Sequence, residues 1–184
     1  MKTRTVKGLM VPLSEYKTIS SEATLYEAAL ILKQTQKEID RKQDRHRALV
    51  VREDDQVVGM ISQLDLLKGL EPRYEEMGLS GRVSLAGFSP RFMKSMLESY
   101  RLWDKPLGDI CKKAANRKVR DFMYVPAKGE YVEEDASLDE AVHQLIMGHH
   151  DCLLVTRKDV VVGVLRLNDV FGEVEASIEA CKVA

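Results

Sequence analysis

Cysteine is scarce in this chain: Cys111, Cys152 and Cys181 are three in 184 residues, an odd number with no CxxC spacing. That argues against both a disulfide framework and a zinc cage, and for buried, inert thiols. No stretch approaches the roughly 20 apolar residues that a membrane span needs. Lys7, Pro12 and Glu15 interrupt the apolar run that a secretory leader would carry after Lys2 and Arg4, so the expected location is the cytoplasm. Neither sign of charge prevails. With 28 basic against 29 acidic residues the net charge is −1, which implies no general attraction to nucleic acid or to an anionic membrane. Walker loop, nucleophile elbow and GxGxxG are all missing, so hydrolysis and hydride transfer lack their parts and no enzyme is expected. His143, His149 and His150 fall close together, but in no zinc-binding spacing and without a completing carboxylate or cysteine set.

What is present is a repeat. Hydrophobic residues make up 45 % and charged residues 31 %, the balance of a globular chain without low-complexity tracts. Val6, Lys7, Gly8, Leu9, Met10, Val11, Pro12 returns as Val119, Arg120, Asp121, Phe122, Met123, Tyr124, Val125, Pro126, with Met10 and Met123 offset by 113 positions. Ile19, Ala23, Leu25, Glu27 and Ala28 recur in that register as Val132, Ala136, Leu138, Glu140 and Ala141. Further on, Val57 to Ile61 recurs as Val161 to Leu165, with Gly59 and Gly163 offset by 104. The first copy therefore carries nine extra residues, placed between Gln34 and Arg45 in a Lys-, Asp-, Arg- and Gln-rich tract. A repeat of this size marks a supersecondary unit that buries a face against its neighbour.

Each copy reads as strand, helix, strand, strand, helix. An extended run from Tyr16 to Ser20 leads through Ser21 and Glu22 to Leu25, Ala28, Ala29 and Leu32 at helical spacing. Ala48 to Val51 and Val57 to Ile61 are β-rich runs across a polar turn, and Ser62 to Leu70 resumes helical character. The second copy has its helix through Leu138, Ala141, Val142 and Leu145, its strands at Leu153 to Val155 and Val160 to Leu165, and its turn at Arg157, Lys158, Asp159. Between the copies, the glycine-rich Leu70 to Phe88 predicts an irregular connection. A helix is expected after it, capped by Ser89 with Pro90 at the first position, and a second short one after Pro106. Phe92, Met93, Met96, Leu97 and Tyr100 line one face of the first, a stripe that either packs on its own module or meets a partner.

One motif carries chemistry. Gly59, Met60, Ile61, Ser62, Gln63, Leu64, Asp65 places a glycine where another group can approach the backbone closely, then a hydroxyl and a carboxylate at a helix start. A helix N-terminus favours a phosphate, and a carboxylate beside it can accept bonds from a ribose diol. The same spacing also makes a capping box, in which Ser62 and Asp65 serve only their own helix. The second copy reads Gly163, Val164, Leu165, Arg166, Leu167, Asn168, Asp169, with Arg166 where the hydroxyl stood. Either that site is lost, or it has gained a group that can grip phosphate with two parallel bonds.

Paired units with Met and Pro near the start, a βαββα order and a Gly, apolar, apolar, Ser or Thr, x, x, Asp ending resemble CBS domains, and two in tandem resemble a Bateman module. The resemblance covers roughly residues 4 to 70 and 117 to 174. It implies an α+β fold of two βαββα units packed sheet to sheet about a pseudo-twofold axis, with a helical insertion between them. The expected division is 1–70 for the first unit, 71–116 for the insertion, 117–174 for the second unit and 175–184 for a tail. In that family two clefts commonly bind AMP, ADP, ATP or S-adenosylmethionine, and the modules are sensors rather than catalysts.

By the same resemblance, His46 and Arg47 correspond to a His-Arg pair that faces nucleotide phosphates. His150 is equivalent to His46, but Asp151 follows it in place of arginine. Adenine would lie near Lys17, Thr18 and Ile19 in the first copy and near Glu130, Tyr131 and Val132 in the second, read by backbone groups. Asp65 and Asp169 are the candidates for the ribose hydroxyls, with Ser62, His46, Arg47, Arg166 and His150 around the phosphates, and the first cleft ranks ahead of the second. The resemblance further implies a homodimer, with the central helices available to a protein partner. The competing expectation is a structural or oligomerisation module with empty clefts.

Overall fold

In the computed structural model, which describes residues 4–42, 48–77 and 88–182, both copies fold along the same path. A two-residue strand, β1 (Val11–Pro12), comes first. The first copy then runs β2 (Thr18–Ser20), α1 (Leu25–Lys42), β3 (Ala48–Glu53), β4 (Gln56–Ser62) and α2 (Gln63–Leu70). The connection holds α3 (Arg73–Glu76), α4 (Pro90–Ser99) and α5 (Leu107–Ala114), and the second copy follows as β5 (Tyr131–Glu133), α6 (Leu138–Gly148), β6 (Cys152–Arg157), β7 (Val160–Arg166) and α7 (Leu167–Lys182). This is a mixed α+β fold with two sheets. Among the described residues no helix is long and apolar enough to cross a membrane.

The molecule divides into two units, residues 18–125 and residues 1–17 with 126–184. In the first, the sheet order is β2-β3-β4, with β2 parallel to β3 and β3 antiparallel to β4. A two-residue turn joins the hairpin, and Asp54 takes the left-handed conformation there at φ 49°. Aspartate tolerates that region because its short side chain can bond locally. Ile19, Leu25, Ala28, Leu32, Leu49, Val51 and Ile61 form the core together with Ala114, Val119 and Phe122. Burying each large apolar side chain contributes about 1.5–3 kcal/mol. Helix α1 starts at a reciprocal cap: Glu27 Oε2 accepts from the Thr24 N–H at 2.7 Å, and Thr24 Oγ1 accepts from the Glu27 N–H at 3.2 Å. The cap therefore lies three residues past Ser21, which is buried.

In the second unit the sheet order is β1-β7-β6-β5. Its hairpin has the same two-residue turn, with Lys158 and Asp159 both left-handed, at φ 50° and 64°. Its register shifts between Val155 and Thr156, as the first hairpin's does between Val51 and Arg52. Val132, Leu138, Ala141, Leu145, Leu153, Val155, Leu165 and Val170 form the core with Val6. Helix α6 spans 11 residues against 18 in α1, so most of the extra tract of the first copy extends its helix.

The N-terminal stretch of each copy packs on the hairpin of the other. Met60 and Tyr124 exchange backbone bonds at 2.8 and 2.9 Å, while β1 pairs with β7 through Val11 opposite Val164 and Pro12 opposite Gly163. A Cβ on Gly59 would stand 2.8 Å from both Met123 Sδ and the Tyr124 carbonyl oxygen, and one on Gly163 would stand 2.7 Å from the Val11 carbonyl oxygen. The group that approaches each glycine is thus the chain itself.

The connection is clamped on itself at Glu71, directly behind α2 and 3 % exposed. Its carboxylate accepts from Arg73 Nε and Nη2, each at 2.7 Å, and from the Trp103 N–H at 3.1 Å. Arg73 Nη1 donates to the Tyr100 carbonyl at 3.0 Å, and Trp103 Nε1 donates to the Tyr74 hydroxyl at 3.0 Å. Ser89 caps α4 by accepting from the Phe92 N–H at 3.2 Å, and Pro90 fills the first turn, as the sequence predicts. Of the α4 stripe, Phe92, Met93, Leu97 and Tyr100 are exposed and Met96 is half-buried, so the stripe does not sink into its own unit.

Candidate functional site

At one end of each sheet the chain brings its polar repeat residues together. In residues 18–125, β2 begins at Thr18, β3 begins at Ala48 opposite Ser62, and α2 starts directly behind Ser62. Two edge-on consequences follow from the strand order: Thr18 and Ile19 lie on an outer strand, and the Ser62–Asp65 turn lies at the other side of Ala48. Ile19 turns its side chain into the core at 6 % exposure, Thr18 is half-buried, and Lys17 is exposed just ahead of the strand. His46 and Arg47 lie outside the described residues.

Ser62 and Asp65 form the capping box. Asp65 Oδ2 accepts from the Ser62 N–H at 2.8 Å and from Ser62 Oγ at 2.6 Å, and Ser62 Oγ accepts from the Asp65 N–H at 3.4 Å. Asp65 is 8 % exposed, so its charge sits at a buried helix start, where the macrodipole favours it. The capping geometry and a ligand role use the same atoms. An aspartate held by a serine and a helix N-terminus still carries acceptor capacity beyond the bonds it receives here.

In the second unit the corresponding place is occupied by an ion pair. Arg166 closes on Asp169 through Nε to Oδ2 and Nη2 to Oδ1, a bidentate contact one helical turn long. Both side chains are largely buried, at 15 % and 20 % exposure. Cys152 pairs with Arg166 across the hairpin, and the Leu167 N–H donates to the Asp151 carbonyl at 2.9 Å, which fixes the start of α7 beside Asp151. His150 Nδ1 lies 3.8 Å from Glu130 Oε2, and Glu130 Oε1 accepts from the Ala127 N–H at 3.0 Å. Val132 is a core residue, and Tyr131 is half-buried with its carbonyl accepting from Gln144 Nε2 at 3.3 Å. Burial, and then the Glu130 charge, push the Tyr131 phenol above its ordinary value.

Glu130 and Gln144 are the members of this place that sequence reasoning undervalued. Glu130 sat one residue before the strand in an exposed-looking Lys-Gly-Glu run, and only the fold shows its carboxylate turned inward. Gln144 flanks the apolar face of α6 and carries no strong sequence signal. His149 ends α6 in the left-handed conformation at φ 51° and is exposed, as is His143, so neither joins His150. Among the described residues no group of three or more His, Cys, Asp or Glu side chains is arranged to hold a metal ion.

The CBS domain family model matches residues 6–72 and 119–176, the two halves of the repeat. Solved structures of low identity share the fold. A CBS domain-containing protein of unknown function from Bacillus anthracis is 15 % identical, with 95 % of each chain covered and a TM-score of 0.64. CBSX2 in complex with AMP is 17 % identical over 96 % of this chain and 97 % of that one, with a TM-score of 0.53. The CBS domain of a bacterial CNNM/CorC family Mg2+ transporter in complex with ATP is 17 % identical over 94 % and 87 %, with a TM-score of 0.54. No curated protein sequence matches the chain. A doubled βαββα path, a glycine in each hairpin admitting the other copy's N-terminal stretch, and a family match over both halves establish that this chain belongs to the CBS domain family, as a tandem pair.

Proposed function

We propose that the chain is a regulatory module that binds an adenosine-containing ligand at the strand-end site of residues 18–125 and passes the change in shape or dimer packing to a partner. The observation that carries this reading is the Ser62–Asp65 turn: a buried carboxylate and a hydroxyl at a helix start, one strand across from an outer strand whose backbone can read a base. The AMP-bound and ATP-bound structures of CBSX2 and of the CNNM/CorC CBS domain support an adenine nucleotide as the ligand class. Asp65 would accept from the ribose hydroxyls, the Ser62 hydroxyl would turn from Asp65 to donate to phosphate, and the N–H groups opening α2 would favour its charge. His46 and Arg47 join this reading from the sequence alone. Coupling to a partner requires different ligand affinity in two states of the module, whether these are conformations or dimer arrangements. The site's groups bind and orient, and the reading assigns them no bond-breaking step. The test is thermal unfolding of the full chain with AMP, ADP, ATP and S-adenosylmethionine. A ligand that shifts the transition, and whose shift Asp65→Ala removes, supports the reading. No shift with any of the four contradicts it.

A second reading is favoured by α4, whose Phe92, Met93, Leu97 and Tyr100 are each 43–46 % exposed on one face. On this reading the chain acts as a homodimer or partner-docking module and its sites stay empty. Alanine at Phe92 and Leu97 would then abolish self-association, with no nucleotide effect in either protein.

A further inference from the structure

The net charge of −1 averages over an uneven distribution. Residues 88–120 hold nine basic side chains against three acidic ones, so the remainder of the chain is acidic. Three of the nine are engaged: Arg117 pairs with Glu75 at 3.0 Å, Arg120 pairs with Glu22, and Lys118 Nζ donates to the Glu22 carbonyl at 2.7 Å. The other six, Arg91, Lys94, Arg101, Lys105, Lys112 and Lys113, are exposed. Lys94 lies 3.9 Å from Glu98 and Arg101 lies 3.4 Å from Asp104, while the remaining four meet no carboxylate among the described residues. The same segment carries an uncovered apolar helix face. None of the ten residues of α4 is buried, and Phe88, 38 % exposed with its ring 4.9 Å from that of Phe92, lengthens the stripe by a turn. Arg91, Lys94 and Glu98 share the opposite face at three- and four-residue spacing, two cations and one anion behind the stripe. A helix this short is marginal in water by itself. Here Ser89 caps one end and Arg73 Nη1 donates to the Tyr100 carbonyl at the other, so the stripe is kept at the surface.

We infer that α4 lays its apolar stripe on an anionic lipid surface, with Arg91, Lys94 and Lys105 meeting the headgroup charge. This needs no ligand at the Ser62–Asp65 site. A second copy's α4 would bring one excess of cations against another, a like-charge approach that opposes association. Nucleic acid would answer the charge but leave Met93, Met96 and Leu97 without an apolar partner, because bases stack on aromatic rings. A bilayer interface supplies both needs: negative headgroups for the cations and an acyl boundary for Phe92, Met93 and Leu97. Tyr100 closes the stripe with the kind of ring that sits at such a boundary, apolar in body and polar at its tip. The helix lies in the interface plane, which asks for none of the length that a membrane span requires.

The experiment is flotation of the full chain, at low salt, with vesicles of phosphatidylcholine alone and of phosphatidylcholine with about one third phosphatidylglycerol. The expected result is a partition coefficient about tenfold higher on the anionic vesicles, falling by about threefold or more when added salt screens the surface. Phe92→Ser combined with Leu97→Ser should abolish the anionic binding. Arg91→Gln combined with Lys105→Gln should bring the two compositions to within about threefold of each other. Because no residue of α4 is buried, both pairs should keep the fold, and circular dichroism on each separates lost folding from lost binding. Equal partition onto both compositions, no partition onto either, or anionic binding that survives the serine pair would each overturn the inference. So would self-association that the serine pair abolishes without any vesicle binding, read by sedimentation equilibrium, which would assign the face to a second copy. Retention by duplex DNA without vesicle binding would assign the cations to nucleic acid and overturn it as well.

Discussion

Met123 Sδ stands 2.8 Å from the point where a Cβ on Gly59 would lie, and Met10 Sδ stands 2.9 Å from the corresponding point on Gly163. Each copy's opening methionine is thereby seated against the other copy's hairpin glycine. The repeated Met and the repeated Gly are two halves of one contact, made twice in the chain. A side chain at either glycine would meet both a methionine and a backbone carbonyl, and the carbonyl cannot move away cheaply.

Gly59→Ala should therefore destabilise the fold by about 1–3 kcal/mol, the usual range for inserting a methylene into a packed place. Gly172→Ala is the control. Gly172 lies within α7 with nothing within 4 Å of an added Cβ, so alanine there should stabilise by about 0.5–1 kcal/mol through helix propensity. Urea unfolding of both variants checks the pair.

Removing the hydroxyl of Ser62 deletes the acceptor for the Asp65 N–H and the donor to its carboxylate. Ser62→Ala should lower stability by about 0.5–2 kcal/mol, the typical worth of an N-cap. Ser62→Thr, which keeps the hydroxyl, should recover most of it. Equilibrium denaturation gives the comparison, and hydrogen exchange should locate the loosening at the first turn of α2.

The Glu71 carboxyl is held below its ordinary value of 4.5, chiefly by the hydrogen bonds from Arg73, with the Trp103 N–H adding to them against the opposing effect of burial. A lowered folded-state value means the unfolded chain takes up protons first on acidification. The stabilisation from this group is complete above its unfolded value and is lost as pH falls through the lower folded one. Glu71→Gln should thus reduce stability at pH 7 by about 1–3 kcal/mol, and the two stability curves should approach each other only as pH falls below the ordinary carboxyl value. Parallel curves down to the acid limit would place the clamp elsewhere.

Much of the fold was legible because it is written twice. The 113 and 104 offsets placed strands and helices in both copies, and Ser89 with Pro90 placed the start of α4. The partner of Gly59 was not legible, since a glycine's lack of a side chain says that something comes close and not what. The start of α1 at Leu25 was legible from the helical spacing, but its cap was not. Thr24 and Glu27 supply that cap, because their spacing lets each side chain reach the other's backbone N–H. For the candidate site, the motif at Ser62 and Asp65 was visible, and so was the change to Arg166. That Arg166 closes on Asp169 depends on both rotamers, and that Glu130 turns inward depends on the 3-10 turn at Lys128–Glu130, which carries no strong sequence mark.

The measurement that bears most directly on the central claim compares the unmutated chain with Asp65→Ala in thermal unfolding with and without AMP, ADP and ATP. At least one nucleotide, at about 100 times its dissociation constant, should add roughly 2.7 kcal/mol to the unmutated chain and almost nothing to the variant. Equal stabilisation of both proteins, or none of either by any nucleotide, would contradict it.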